Sequence, residues 1–238
     1  MIELLGVPAA SSYAGHIDMV FTVIFVAVGF WFVLAEGVFF WLLLKFKKKE
    51  GVKAQYITGE LKSEKRWITV PHNIILLFDV VIVVAAVKVW YQVKQDLPEA
   101  PDKRIVRVIG QQWAWTFVDP GPDGQLDTPD DIAKVNEMHV VVDKIHHFKL
   151  ESKDVIHSFS VPVFRLKQDV IPGRVITGWF TPTKTGTYDI QCAEICGIGH
   201  GLMPARVVIE TPEQHAAWMA SQAPPVALAA LAAPRAQE

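Results

Sequence analysis

Both cysteines of this 238-residue chain lie in one stretch, Cys192-Ala-Glu-Ile-Cys196-Gly-Ile-Gly-His200-Gly-Leu-Met203. Two thiols, an imidazole and a thioether fall within twelve residues. Thiolate and thioether are soft ligands and imidazole suits copper, so the set favours copper chemistry. A second imidazole stands upstream in Asp154-Val155-Ile156-His157-Ser158-Phe159. Two Cys, two His and one Met suit two copper ions bridged by both thiolates. Copper ligated by sulfur moves electrons rather than cutting bonds.

Plainer readings of the same residues stay open at this point. Two cysteines outside the cytosol often form a disulfide. A three-residue gap closes one only with a particular loop shape, and a disulfide gives no reason for His200 and Met203 to follow. Zinc accepts Cys and His but has no use for Met. A mononuclear blue-copper site takes two His, one Cys and an axial Met, leaving one cysteine spare.

These residues need a scaffold. Ile17 to Leu44 and Ile68 to Val87 are almost wholly apolar. At about 1.5 Å per residue, each exceeds or approaches the ~30 Å hydrocarbon core of a bilayer. Membrane-spanning helices are therefore predicted over 17–44 and 67–95. The loop 45–66 carries Lys45, Lys47, Lys48, Lys49, Lys53, Lys62, Lys65 and Arg66 against Glu50, Glu60 and Glu64. A basic short loop marks the cytoplasmic side. The N-terminal residues 1–16 and everything after the second span then lie outside, periplasmic or otherwise extracytoplasmic, and a bacterial inner membrane is the expected location. The first apolar segment is too long and lacks a basic leader for a cleavable signal peptide.

Leu97-Pro98-Glu99-Ala100-Pro101 breaks the second helix. Short alternating or β-branched runs follow at 105–109, 112–117, 138–142, 147–150, 175–180, 186–190 and 206–209. Six to eight strands with frequent turns predict a Greek-key β-sandwich or barrel over 99–220, whose loops gather ligands at one end. A short helix is expected from Thr211-Pro212-Glu213 to about Ala220, and a disordered Ala- and Pro-rich tail over 221–238. The chain's net charge of −2 argues against a nucleic-acid partner. Residues 99–238 hold thirteen Lys and Arg against seventeen Asp and Glu, which suits steering of a cationic partner.

Together these features resemble subunit II of the haem-copper cytochrome c oxidases. The blocks that carry the likeness are Asp154-Val-Ile-His157-Ser-Phe-Ser-Val-Pro162, Lys167-Gln-Asp169-Val-Ile-Pro172-Gly173-Arg174 and the cysteine stretch. The resemblance implies a two-helix hairpin, a cupredoxin domain and a binuclear copper A centre. His157 and His200 would each bind one copper, and Cys192 and Cys196 would bridge them. Met203 would supply a weak sulfur ligand, and Glu194 a weak backbone oxygen. The Glu194 side chain would reach a magnesium ion at the boundary with subunit I. Trp113 would admit electrons from a cytochrome c. The family usually has a tyrosine between its two tryptophans, and here Ala114 stands there. A core role for Trp113 is the alternative. Glu64 matches the glutamate at the mouth of a proton channel into subunit I; the alternative is an acid favoured by a helix N-terminus. The implied function is electron transfer from cytochrome c to haem in subunit I, where oxygen is reduced with proton pumping.

Other residues admit several readings. Glu36 and Asp79 fall inside the spans, where a charge must face protein or water; contact with a neighbouring subunit or a proton-linked pair would explain them. Lys88 can snorkel to the outer interface. His139, His146 and His147 are expected as exposed strand residues. The acidic run from Asp119 through Asp123, Asp127, Asp130 and Asp131 is a solvated loop, with calcium or a basic partner as alternatives, although its spacing is not that of an EF-hand. The rival functions are a copper-less quinol oxidase subunit, a copper carrier or assembly protein, and a nitrous-oxide-reducing copper A enzyme. The first lacks the ligands found here, the second needs a labile site, and the third needs a further His-rich domain. No Cys-x-x-Cys-His is present, so c-type haem attachment is not predicted.

Overall fold

The computed structural model describes residues 6–54 and 56–222, arranged as two compact units. One holds two long helices, α1 (Ala14–Lys45) and α2 (Lys62–Trp90). Each contains an 18-residue stretch of mean hydropathy 2.4, and α2 buries none of its residues. A helix with so long an apolar stretch and so little of it buried suits lipid. Lys45 closes the last turn of α1 and Glu64 lies in the first turn of α2, each matching the helix dipole. The second helix begins at Lys62 rather than 67, so Glu64 belongs to it.

The other unit is a sandwich of two five-stranded sheets. Its strands are β1 (Arg104–Gln111), β2 (Ala114–Asp119), β3 (Ile132–Val135), β4 (Glu137–Val141) and β5 (His146–Ser152). They continue with β6 (His157–Val161), β7 (Leu166–Val170), β8 (Ile176–Phe180), β9 (Gly186–Cys192) and β10 (Ala205–Glu210). One sheet runs β3-β2-β1-β5-β8 and the other β4-β10-β9-β6-β7. The pairs β1–β5 and β4–β10 are parallel, and the remaining pairs are antiparallel. Alternate residues of each strand point inward. Val106, Val108, Trp115, Phe117, Phe148, Leu150, Phe159, Ile190 and Val207 fill the space between the sheets.

Ten strands among the described residues exceed the six to eight read from the pattern. The additions are β3, β6 and β7. Ser158, Ser160, Lys167, Gln168 and Asp169 interrupt the apolar signal of β6 and β7, and long-range pairing supplies what local pattern lacks. The helix α3 runs Pro212–Gln222. Thr211 and Gln214 hydrogen-bond reciprocally at its start, a capping box. The tail expectation falls on 223–238, which lies outside the described residues. Residues 7–13 lie along the sandwich: Ala10 N–H donates to Val163 O at 2.8 Å and Thr183 N–H to Ala10 O at 2.9 Å.

Two of the histidines expected to be exposed are buried. His146 is wholly enclosed. Its Nε2 accepts the Val141 N–H at 3.2 Å and its Nδ1–H donates to Lys144 O at 3.0 Å, so both ring nitrogens are satisfied in the neutral form. Burial pushes its pKa down to about 3. His139 stacks on Trp218 of α3 at 4.1 Å, and its Nδ1 meets Glu210 Oε1 at 3.0 Å. The other Glu210 oxygen meets His215 of α3 at 3.1 Å. These imidazoles find partners distant in sequence, which a strand pattern cannot reveal. His147 is half-buried and donates to Pro98 O at 2.9 Å.

Candidate metal centre

Strand pairing brings the two cysteine-histidine segments together. β6 and β9 are antiparallel neighbours with Phe159 opposite Cys192. His157 is two residues before Phe159 and so shares its face. The chain then turns at Cys196, makes a single 3₁₀ turn over His200–Leu202, and returns at Met203 to enter β10.

The result is a compact donor set. Cys192 Sγ lies 3.9 Å from Cys196 Sγ and 3.9 Å from His157 Nδ1. The Glu194 carbonyl oxygen is 3.4 Å from Cys192 Sγ. Cys196 Sγ lies 3.6 Å from His200 Nδ1 and 3.4 Å from Met203 Sδ. One donor group therefore gathers around each sulfur, with a histidine on either side. His157, Cys196 and Met203 are buried. Among the described residues, His157, Cys192 and Cys196 bring ligand atoms within 4.8 Å of one another.

The sulfurs are free thiols, nearly twice the ~2.05 Å of a disulfide apart. Ions about 2.3 Å from thiolate sulfur fit between two sulfurs at that spacing. A buried thioether adds a soft donor that zinc does not use. The donor set thus fits copper. Burial, and then the neighbouring Cys192, push the Cys196 thiol up to about 11. A bound cation must expel that proton, so loading releases protons.

Asp154 fixes the His157 ring. Its Oδ1 lies 2.9 Å from His157 Nε2, which leaves Nδ1 with its lone pair toward Cys192. The same carboxylate accepts the N–H of Val155 at 2.7 Å and of Gln112 at 2.6 Å. Burial alone would raise its pKa; the hydrogen bonds from His157, Gln112 and Val155 outweigh that and hold it below the usual carboxylate range. Opposite, Gly110 of β1 gives the ring room, since a Cβ there would stand 3.1 Å from His157 Cδ2.

Trp113 is not on a strand with Trp115. Gln111 pairs with Ala114, so Gln112 and Trp113 form the two-residue tip of the β1–β2 hairpin. Trp115 faces the core and is fully buried, whereas Trp113 is 38% exposed. The core reading therefore belongs to Trp115. The Trp113 ring packs on the cysteine loop: a Cβ at Gly199 would sit 2.4 Å from Trp113 Cδ2, and one at Gly197 3.1 Å from Cζ2. Only glycine permits that approach at 199. Around the same loop Ile195, Ile198 and Leu202 are exposed.

Glu64 belongs to the helical unit. Its Oε2 accepts the Gly59 N–H at 2.9 Å. Glu36 and Asp79 are exposed on α1 and α2, as is Lys88. In the acidic loop, Asp119 pairs with Arg104 at 2.6 Å and Asp127 takes Arg107 in a two-point contact at 2.8 Å. Asp130 accepts from Thr128 and the Asp123 N–H, and Asp131 from the Asp127 N–H. Those carboxylates are engaged by donors within the fold. Asp154, Gln112, Gly110 and Gly199 escaped the sequence reading; the one local cue was an acid three residues before His157.

The family described as "Cytochrome C oxidase subunit II, periplasmic domain" matches residues 104–211. The "Alternative cytochrome c oxidase subunit 2" of Bradyrhizobium diazoefficiens is 32% identical over 237 residues, covering 90% of this chain and 83% of that protein. The "Cytochrome c oxidase subunit 2" of Thermostichus vulcanus is 46% identical over 120 residues, 50% of this chain and 33% of that protein. Among solved structures, the periplasmic domain of subunit II of cytochrome oxidase from Bradyrhizobium japonicum matches with 30% identity and a TM-score of 0.47. That match covers 53% of this chain and 96% of that domain.

Proposed function

Because this chain belongs to the cytochrome c oxidase subunit II family, a membrane-anchored part of an oxidoreductase complex, we propose that its outer domain receives electrons from a cytochrome c and passes them to haem in subunit I. The observation that carries the reading is the division of donors between the two sulfurs: His157 and the Glu194 carbonyl by Cys192, His200 and Met203 by Cys196. A single tetrahedral ion needs four donors at one point, whereas this set is spread along a sulfur pair. Two coppers bound there would supply one-electron redox chemistry.

The chain's own residues do the rest. Cys192 and Cys196 would hold the copper through their sulfurs, and His157 and His200 would each add an imidazole on either side of the sulfur pair. Asp154 holds one imidazole in a fixed tautomer, so little has to reorganise when charge changes. Burial of His157, Cys196 and Met203 keeps water out. It also disfavours a copper carrier, which needs an accessible and labile site. Trp113 gives an aromatic surface in contact with the cysteine loop, suited to electron entry. The basic loop faces the cytoplasm, and both termini and the sandwich face outward. Glu64 then lies on the side from which protons are taken up. Glu194 offers magnesium one carboxylate, too few by itself to hold that ion.

The test is copper reconstitution of the full chain in detergent. Two coppers per chain, and an electron paramagnetic resonance signal shared by two nuclei, are expected. One copper per chain with a single-nucleus hyperfine pattern overturns the binuclear reading. Cys196→Ser should abolish the shared signal.

A further inference from the structure

The hairpin tip does more than present a tryptophan. Gln112 makes two hydrogen bonds in opposite directions. Its backbone N–H donates to Asp154 Oδ2 at 2.6 Å, and Asp154 holds His157. Its side-chain Nε2 donates to the Cys196 carbonyl at 2.8 Å. One residue thus joins the two segments that carry the donor set, 154–157 and 192–203, which are otherwise linked through β6–β9 pairing.

The Cys196 carbonyl is a demanding point in the loop. The next residue, Gly197, has φ +124°, a backbone conformation that glycine alone adopts readily. The Gln112 amide holds the carbonyl just ahead of this glycine, where the backbone leaves the cysteine for the rest of the loop. From Gly197 onward the loop is held by single hydrogen bonds, His200 N–H to Gly197 O at 3.1 Å and Leu202 N–H to Gly199 O at 2.9 Å. The Gln112 amide lies against the loop, since a Cβ at Gly197 would come within 3.0 Å of Nε2.

We propose that Gln112 is a positioning residue: through its side-chain hydrogen bond to the Cys196 carbonyl it sets the shape of the cysteine loop before metal arrives and couples Trp113 to that loop. The bonded path from Trp113 runs through one peptide to Gln112, along its side chain, across 2.8 Å to Cys196 O, and so to Cys196. The coupling half of this inference rests on the proposed electron-transfer function; the loop-shaping half does not.

The test separates the two. Gln112→Leu keeps the bulk and the charge of the side chain and removes the donor. Gln112→Lys restores a donor of similar reach. In the copper-free full chain, hydrogen exchange at the His200 and Leu202 amides should quicken about tenfold in Gln112→Leu, the effect of about 1.4 kcal/mol from one lost hydrogen bond. Gln112→Lys should return it toward wild type. The Trp115 amide, bonded to Asn136 Oδ1 at 2.9 Å, should stay protected and report an intact sandwich. In the assembled, copper-loaded oxidase, single-turnover electron entry should fall below the wild-type rate in Gln112→Leu with copper content unchanged. Unchanged exchange at His200 and Leu202 overturns the loop-shaping role, whatever the copper content. Quickened exchange with an unchanged entry rate overturns the coupling role. A wild-type chain without two coppers overturns the electron-transfer reading instead and leaves the exchange result standing.

Discussion

Asp154→Asn perturbs a single carboxylate that three donors share. The amide can face two ways. With its oxygen toward His157 and Val155, its NH2 meets the Gln112 N–H; turned round, it meets the other two donors. At least one hydrogen bond to a charged group is therefore lost, worth about 1.5–3 kcal/mol. The side chain is 29% exposed, and solvent screening favours the lower end of that range. Removing a carboxylate behind a ligating histidine commonly costs about 10–100-fold in metal affinity, or about 1.4–2.7 kcal/mol. The two routes agree on a loss of one decade or slightly more. Competitive copper titration of the full chain measures it, and the hyperfine coupling of the His157 nitrogen shows whether the ring has turned. Asp127→Asn, in the acidic loop, is the control and should leave affinity unchanged. Wild-type affinity and unchanged coupling in Asp154→Asn would refute the argument that this carboxylate orients the ring.

Trp113→Ala should slow reduction of the copper-loaded complex by its donor while copper content stays full; loss of copper would make Trp113 a structural support of the loop instead. Glu64→Gln can still accept the Gly59 N–H, so helix α2 should lose at most about 1 kcal/mol; slow oxygen uptake with normal copper reduction supports proton entry there, and normal uptake confines Glu64 to the helix end. His146 binds its proton less readily folded, at about 3, than unfolded, near 6.5. Its contribution to stability is therefore complete above about pH 6.5 and falls as pH drops toward 3, by at most about 2 kcal/mol between pH 6.5 and 5. Denaturant melts of the full chain at both pH values, compared with His146→Gln, should show a shallower pH dependence in the variant.

Some of this was legible in the sequence, and the reasons differ by residue. Apolar runs long enough for lipid need no tertiary information, so both helices stood out. Alternation exposed β1, β2, β5 and β8, whose inward residues are large and apolar. It hid β6 and β7, where serine, lysine and aspartate follow one another. The types of Cys192, Cys196, His200 and Met203 advertised soft-metal chemistry through local spacing alone. That His157 joins them depends on the register Phe159–Cys192, which no local pattern contains. Trp113 and Trp115 looked like neighbours on one strand face; the Gln111–Ala114 pairing moves the first into a turn and leaves the second in the core. His139 and His146 looked solvent-exposed because their partners, Glu210 and the Val141 N–H, are brought to them only by folding.

The placement of charge follows from the same strands. The β1–β2 hairpin tip bears on the cysteine loop at one end of the sandwich. Five residues on, at about 3.3 Å each, β2 reaches Asp119 roughly 17 Å away. There Arg104 pairs with Asp119 and Arg107 with Asp127. A cationic donor steered by that loop would arrive at the wrong end for Trp113. The surface beside the cysteine loop is instead apolar, with Ile195, Ile198 and Leu202 exposed around the tryptophan. Apolar contact gives little long-range steering and much short-range fit. Electron entry at Trp113 should therefore depend weakly on ionic strength where the loop's charges are concerned. Asp127→Asn should leave the salt dependence of donor-driven reduction unchanged, and a marked loss of that dependence would return the acidic loop to the docking surface.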